Sequence, residues 1–64
     1  MTKVFCLETK YTYTFSTDKS LMALIAMQYY LNLNKKLDES IIHKTKSRKH
    51  LWFEADGKTY CVVN

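Results

Sequence analysis

From Val4 to Phe15 the side chains alternate: Phe5, Leu7, Tyr11, Tyr13 and Phe15 hold the odd positions, and Thr9 is the one interruption. The even positions carry Val4, Cys6, Glu8, Lys10, Thr12 and Thr14. A period of two marks one face of a sheet, and the aromatic and β-branched content suits a strand. The stretch is either one long strand or a hairpin turning through Glu8-Thr9-Lys10, where a three-residue turn lacks its usual glycine. Either form is expected to hold the odd residues on the core face.

The period then changes. Ser16-Thr17-Asp18 offers three side chains able to accept hydrogen bonds from the free N–H groups of a first helical turn. The spacing predicts a helix from about Lys19 to Leu33, ending among Asn32, Asn34, Lys35 and Lys36. Asn34 suits a left-handed closing position there, and the cations complement the helix dipole. Met22, Ile25, Ala26, Tyr29 and Leu33 form its expected core face. Leu24, Met27 and Leu31 lie on the other side, so this helix is apolar nearly all round.

Near the C-terminus, Asp56-Gly57 sits between Leu51–Ala55 and Lys58–Val63. Asp-Gly between two strand-like runs predicts a two-residue hairpin turn with positive φ at both central positions. Phe53 then faces Tyr60, Trp52 faces Cys61 and Leu51 faces Val62. The segment between helix and hairpin is open to two readings. Asp38 caps a short helix through Glu39, Ile41, Ile42 and Thr45, or Ser40–Thr45 is a strand turning through Lys46-Ser47-Arg48-Lys49 into Leu51.

The predicted fold is therefore α+β: a small antiparallel sheet of three to five strands with one main helix packed across it. The element order is ββαβββ or βαβββ, closed by the Asp-Gly hairpin. Phe5, Leu7, Tyr13, Phe15, Leu51, Phe53, Tyr60 and Val62 are expected to face the helix. With 64 residues there is material for one domain, spanning 1–64. No proline and one glycine, in a chain that is 47% hydrophobic and 14% aromatic, fit regular elements joined by short turns. Few Gly, Pro and Ala beside many Lys, Asn, Ile and Tyr suggest an AT-rich genome of the phage or mobile-element kind.

Charge narrows the partners. The net charge is +4, which favours nucleic acid or an acidic protein surface. Lys35, Lys36, Lys44, Lys46, Arg48 and Lys49 supply six of the ten cations, His43 and His50 accompany them, and no acid occurs from Ser40 through Phe53. Such cations neutralise phosphates and release counterions, and Trp52 beside them offers a ring on which an unpaired base can stack. The plain alternative is a solvated, charged turn that protects a sheet edge.

The second candidate surface is apolar. Leu24, Met27 and Leu31 form either a protein-docking or homodimer face, or a second buried side of the helix. A docking face there describes an inhibitor or adaptor of a host enzyme, such as a nuclease or polymerase that processes nucleic acid.

Catalysis finds no support. No cysteine–histidine nucleophile arrangement, carboxylate pair or glycine-rich phosphate loop is present. Cys6, His43, His50 and Cys61 are metal-binding by type but lack the close spacing of zinc ligands, so no metal or other cofactor is expected. Cys6 and Cys61 are expected to be two buried or half-buried free thiols on the non-core faces of their strands, with a reversible disulfide as the lesser alternative. The N-terminus enters the alternating pattern directly, and the apolar run Leu21–Met27 is far short of the roughly 20 residues of a membrane span. These features predict a cytoplasmic binding or regulatory protein, in the host cytoplasm if phage-encoded, with no membrane or small-molecule substrate.

Overall fold

A computed structural model describes residues 1–31, 39–45 and 50–63. It has one helix packed on a small antiparallel sheet of five strands. The strands are β1 (Thr2–Cys6), β2 (Thr12–Phe15), β3 (His43–Lys44), β4 (Leu51–Ala55) and β5 (Lys58–Val63), in the spatial order β2-β1-β5-β4-β3. Helix α1 (Ser20–Tyr30) lies against β1, β5 and β4. β4 and β5 are joined at Asp56 and Gly57, whose φ values are 50° and 75°. This left-handed region is costly for most residues and open to glycine.

β1 and β2 form a hairpin, and its connection decides which side chains are buried. The Cys6 N–H donates to the Tyr11 carbonyl at 2.9 Å, leaving Leu7–Lys10 as a four-residue loop with Lys10 at φ 62°. An even-numbered loop swaps parity between the strands. Val4 therefore stands opposite Tyr13 and Thr2 opposite Phe15. A straight strand or a three-residue turn keeps odd beside odd, so the expectation for β1 is corrected. Val4 and Cys6 enter the core, while Phe5 turns to the other face and Leu7 is exposed. Tyr13 and Phe15 pack against the core from β2.

The helix is also turned relative to the expected face. Ala23, Leu24, Met27 and Gln28 are its buried residues, and Leu31 just beyond its end packs on the core. Met22 and Tyr29 are exposed, while Ile25 and Ala26 are partly buried. An almost uniformly apolar helix does not specify its own rotation, so shape decides. The small Ala23 permits close approach, Leu24 and Met27 join Val4 and Phe53 in the buried core, and Tyr29 and Tyr30 are exposed. No buried side-chain nitrogen or oxygen among the described residues lacks a hydrogen-bond partner, so Gln28 is accommodated.

The helix start differs as well. Lys19 is the N-cap residue, extended at φ −100°, and no side chain caps the first turn. The Thr17 hydroxyl accepts from the Lys19 N–H at 3.2 Å, and Asp18 pairs with the N-terminal ammonium of Met1 at 2.6 Å. That ammonium holds the Asp18 carboxyl below its usual range, first by hydrogen bonding and then by charge. Helix α1 ends at Tyr30 with Leu31 as its C-cap, earlier than the expected Leu33, and Asn34 lies outside the described residues. Between helix and hairpin both sequence readings are partly met: a 3₁₀ turn at Glu39–Ile41 leads through the buried Ile42 into the two-residue β3.

Candidate nucleic-acid interface

The sheet has two unlike faces. Val4, Cys6, Leu51, Phe53, Tyr60 and Val62 face α1. Alternation along the same strands sends Lys3, Phe5, Trp52, Glu54, Thr59, Cys61 and Val63 to the opposite face. No described element covers that face.

The register assembles this open face into rows. Thr12 stands opposite Phe5, Phe5 opposite Cys61, Cys61 opposite Trp52, and Trp52 opposite His43. One row therefore crosses all five strands with one residue from each. Phe5, Cys61 and Trp52 are partly buried against their neighbours, while Thr12 and His43 at the margins are exposed. The His43 and Trp52 rings lie 4.4 Å apart at 30°, a near-stacked pair at the β3 edge. The Cys61 thiol donates to the Phe5 carbonyl at 3.7 Å, which fixes it between the two aromatic residues.

Charges flank the row. Lys3 lies beside it on β1, opposite Thr14 on one side and Val63 on the other. His50 precedes Trp52 by two residues, is exposed, and its carbonyl accepts from the Thr45 N–H at 3.2 Å. It therefore continues the face carried by Trp52 and His43. Glu54 is the acid on this face among the described residues. Burial, helped by the charge of Cys6, pushes the Cys61 thiol up, so it stays neutral at neutral pH. The row thus combines aromatic surface and a neutral thiol with a flanking lysine, Lys3, which suits stacking and contact with an anion.

Of the basic segment, His43 and His50 share this face with Trp52. Lys44 stands opposite Leu51 and so points to the helix side of the sheet, exposed at its edge. Lys35, Lys36, Lys46, Arg48 and Lys49 lie outside the described residues. Cys61 was expected beside Trp52 on this face, whereas Phe5 in the row and Lys3 flanking it were not placed there by sequence reasoning. The available signal was that Phe5 sits between Val4 and Cys6, two residues equally suited to a core.

The apolar helix face is corrected. Leu24 and Met27 are both 0% exposed and Leu31 packs against the same core. Because α1 presents that side to the sheet, Leu24 and Met27 are covered, and Leu31 is partly buried beside them. Both cysteines are free thiols, Cys6 buried and Cys61 partly buried, and the expectation that both lie on non-core faces is corrected for Cys6. Cys6 stands opposite Tyr60 on the helix side, and Cys61 opposite Phe5 on the open side, so the sheet separates the thiols. At Cys6 burial raises the thiol, but hydrogen bonds from the Thr9 hydroxyl and the Thr9 and Glu8 backbone outweigh it and bring it below the ordinary value. No group of three metal-binding side chains occurs among the described residues, and no described helix is long and apolar enough to cross a membrane.

No family model, curated protein or solved structure matches this chain.

Proposed function

We propose that this is a non-enzymatic binding protein whose open sheet face receives an unpaired stretch of nucleic acid, as a small regulator or accessory of a nucleoprotein complex. The observation that carries the reading is the row Phe5–Cys61–Trp52–His43, an aromatic strip with no described cover in a chain of net charge +4. Bases stack on such rings with little regard to sequence, while Lys3, His50 and the cations encoded between His43 and Trp52 meet phosphates. Single strands fit better than duplex, because a partly recessed ring reaches an unstacked base and not one inside a helix. The inhibitor or adaptor reading is less supported, since Leu24 and Met27, two of the residues expected to form its docking face, are buried.

Trp52 is the single tryptophan, so its fluorescence reports directly on the proposed face. Titration with a short homopyrimidine single strand at low salt should quench it, and the affinity should fall as salt rises. Trp52→Ala should weaken binding, followed by anisotropy of a labelled strand, by about 1–3 kcal/mol. A strand that binds the variant as tightly as the native chain, or binds neither at low salt, ends the proposal.

A further inference from the structure

The sheet also has two unlike edges. At one, β3 has two residues and a lysine, and Lys46, Arg48 and Lys49 follow it in sequence. Short length and positive charge are standard protection against edge-to-edge pairing. At the other, β2 reads Thr12-Tyr13-Thr14-Phe15, with no charge and no proline. Nothing among the described residues pairs with its outer side.

The backbone there is laid out for a partner strand. Tyr11 bonds toward β1 through the Cys6 N–H. In an antiparallel ladder Tyr13 and Phe15 then also bond inward, so Thr12 and Thr14 direct their N–H and C=O groups outward. Beside them runs an open groove of about 380 Å³ lined by residues 11–15 and Tyr30. The Tyr13 ring lies 4.7 Å from that of Tyr11 and 5.5 Å from that of Tyr30, whose own exposures are 59% and 65%.

We infer that the outer edge of β2 pairs antiparallel with β2 of a second copy of this chain, about a two-fold axis at Tyr13. Free backbone groups call for a strand as occupant, and the uncharged edge offers nothing to a charged peptide. It does suit its own copy. A two-fold axis normal to the sheet places Tyr13 opposite Tyr13 and makes Thr12 and Thr14 mutual hydrogen-bonded partners, with Lys10 opposite Ser16. No like charges meet, despite the net +4. Both helices then lie on one side of a continuous sheet and both open faces on the other. This pairing does not depend on the nucleic-acid reading. A four-residue edge buries less than the roughly 1,200–2,000 Å² of a standard stable interface, so the association belongs at high protein concentration.

Sedimentation equilibrium without nucleic acid, up to millimolar protein, should show a monomer–dimer equilibrium. Thr14→Pro removes an outward N–H that pairs with no described strand, a position where an edge strand tolerates proline. It should weaken dimerisation by at least about tenfold with the far-ultraviolet circular dichroism unchanged. Two further variants, made in a Cys61→Ser background, fix the register and decide the matter if Thr14→Pro fails to fold. Tyr13→Cys should cross-link on mild oxidation, its Cα atoms lying about 4.5 Å apart, whereas Thr14→Cys, at about 8 Å, should not. A native chain that stays monomeric at millimolar concentration overturns the inference. So does undiminished dimerisation of Thr14→Pro, or equal cross-linking at both positions.

Discussion

Two adjacent rows of the sheet, one residue out of step, contain similar side chains and face opposite environments. On the helix side Cys6, Tyr60 and Phe53 stand in register, with the Phe53 and Tyr60 rings stacked at 5.3 Å. On the open side Phe5, Cys61 and Trp52 stand in register beside His43. Each row offers a thiol and two aromatic rings. What separates them is α1, which brings Leu24 and Met27 down on the first row and leaves the second without a described cover. Composition along a strand therefore says little about which face will serve stability and which is free for contact. The covering element decides.

The sharpest way to break that comparison is to truncate both sides of the covered contact in turn. Phe53 is 0% exposed, and Phe53→Ala should lower the unfolding free energy by about 3–5 kcal/mol, read by urea titration. Leu24→Ala should cost about 2–5 kcal/mol in the same assay. In a domain this small either change is expected to leave a marginal fold. A Leu24→Ala chain of native stability would return that residue to the surface and revive a docking role for the helix.

The C-terminal half was more legible in the sequence than the N-terminal half, for a physical reason. Leu51, Phe53, Tyr60 and Val62 share one face, Glu54 and Thr59 mark the other as the more polar, and the Asp56-Gly57 turn fixes the register between the strands. In β1, Val4, Phe5 and Cys6 suit either face, and parity depends on whether the following loop has three residues or four. The four-residue loop ends on Lys10 at φ 62°, a conformation no local glycine announces. The helix is a second case: with apolar residues on every side its rotation is set by packing volume, which periodicity does not contain. The aromatic row was legible only in part. Trp52 and His43 announce themselves by type, but their alignment with Cys61 and Phe5 needs the register of four strands joined across the whole chain.

Trp52→Ala sharpens the comparison from the open side. The ring is already partly in water, so its loss should cost less stability than Phe53→Ala, within about 1.5 kcal/mol, because less area returns to solvent. The same change should abolish most of the stacking contribution to single-strand affinity. The two rows are thus expected to separate in a plot of binding loss against stability loss. If Trp52→Ala destabilises as much as Phe53→Ala, the open row is a second core and something covers it.

The smallest effect concerns pH and compares Tyr60 on the covered row with Cys61 next to it on the open row. Burial, reinforced by the charges of Cys6 and Tyr13, raises the Tyr60 phenol above its ordinary 10.0. The folded state then holds its proton more tightly than the unfolded state, so the stabilisation is complete below pH 10 and declines as pH rises through the folded value. Cys61 is raised by burial too, and its contribution declines on the same side, beginning above its ordinary 9.0. Cys6 is lowered and works in the opposite direction, adding stability as pH rises toward 9.0. A single alkaline titration therefore mixes opposing signs, and the informative quantity is the difference between variants with Cys6 retained. Tyr60→Phe should flatten the decline above pH 10, and Cys61→Ser should flatten the part that starts lower, both read as thermal midpoint against pH. Since Tyr60 is 5% exposed and Cys61 only partly buried, the tyrosine variant should show the larger change. An unchanged alkaline limb in Tyr60→Phe would mean that the phenol reaches water, and that α1 does not seal its side of the sheet.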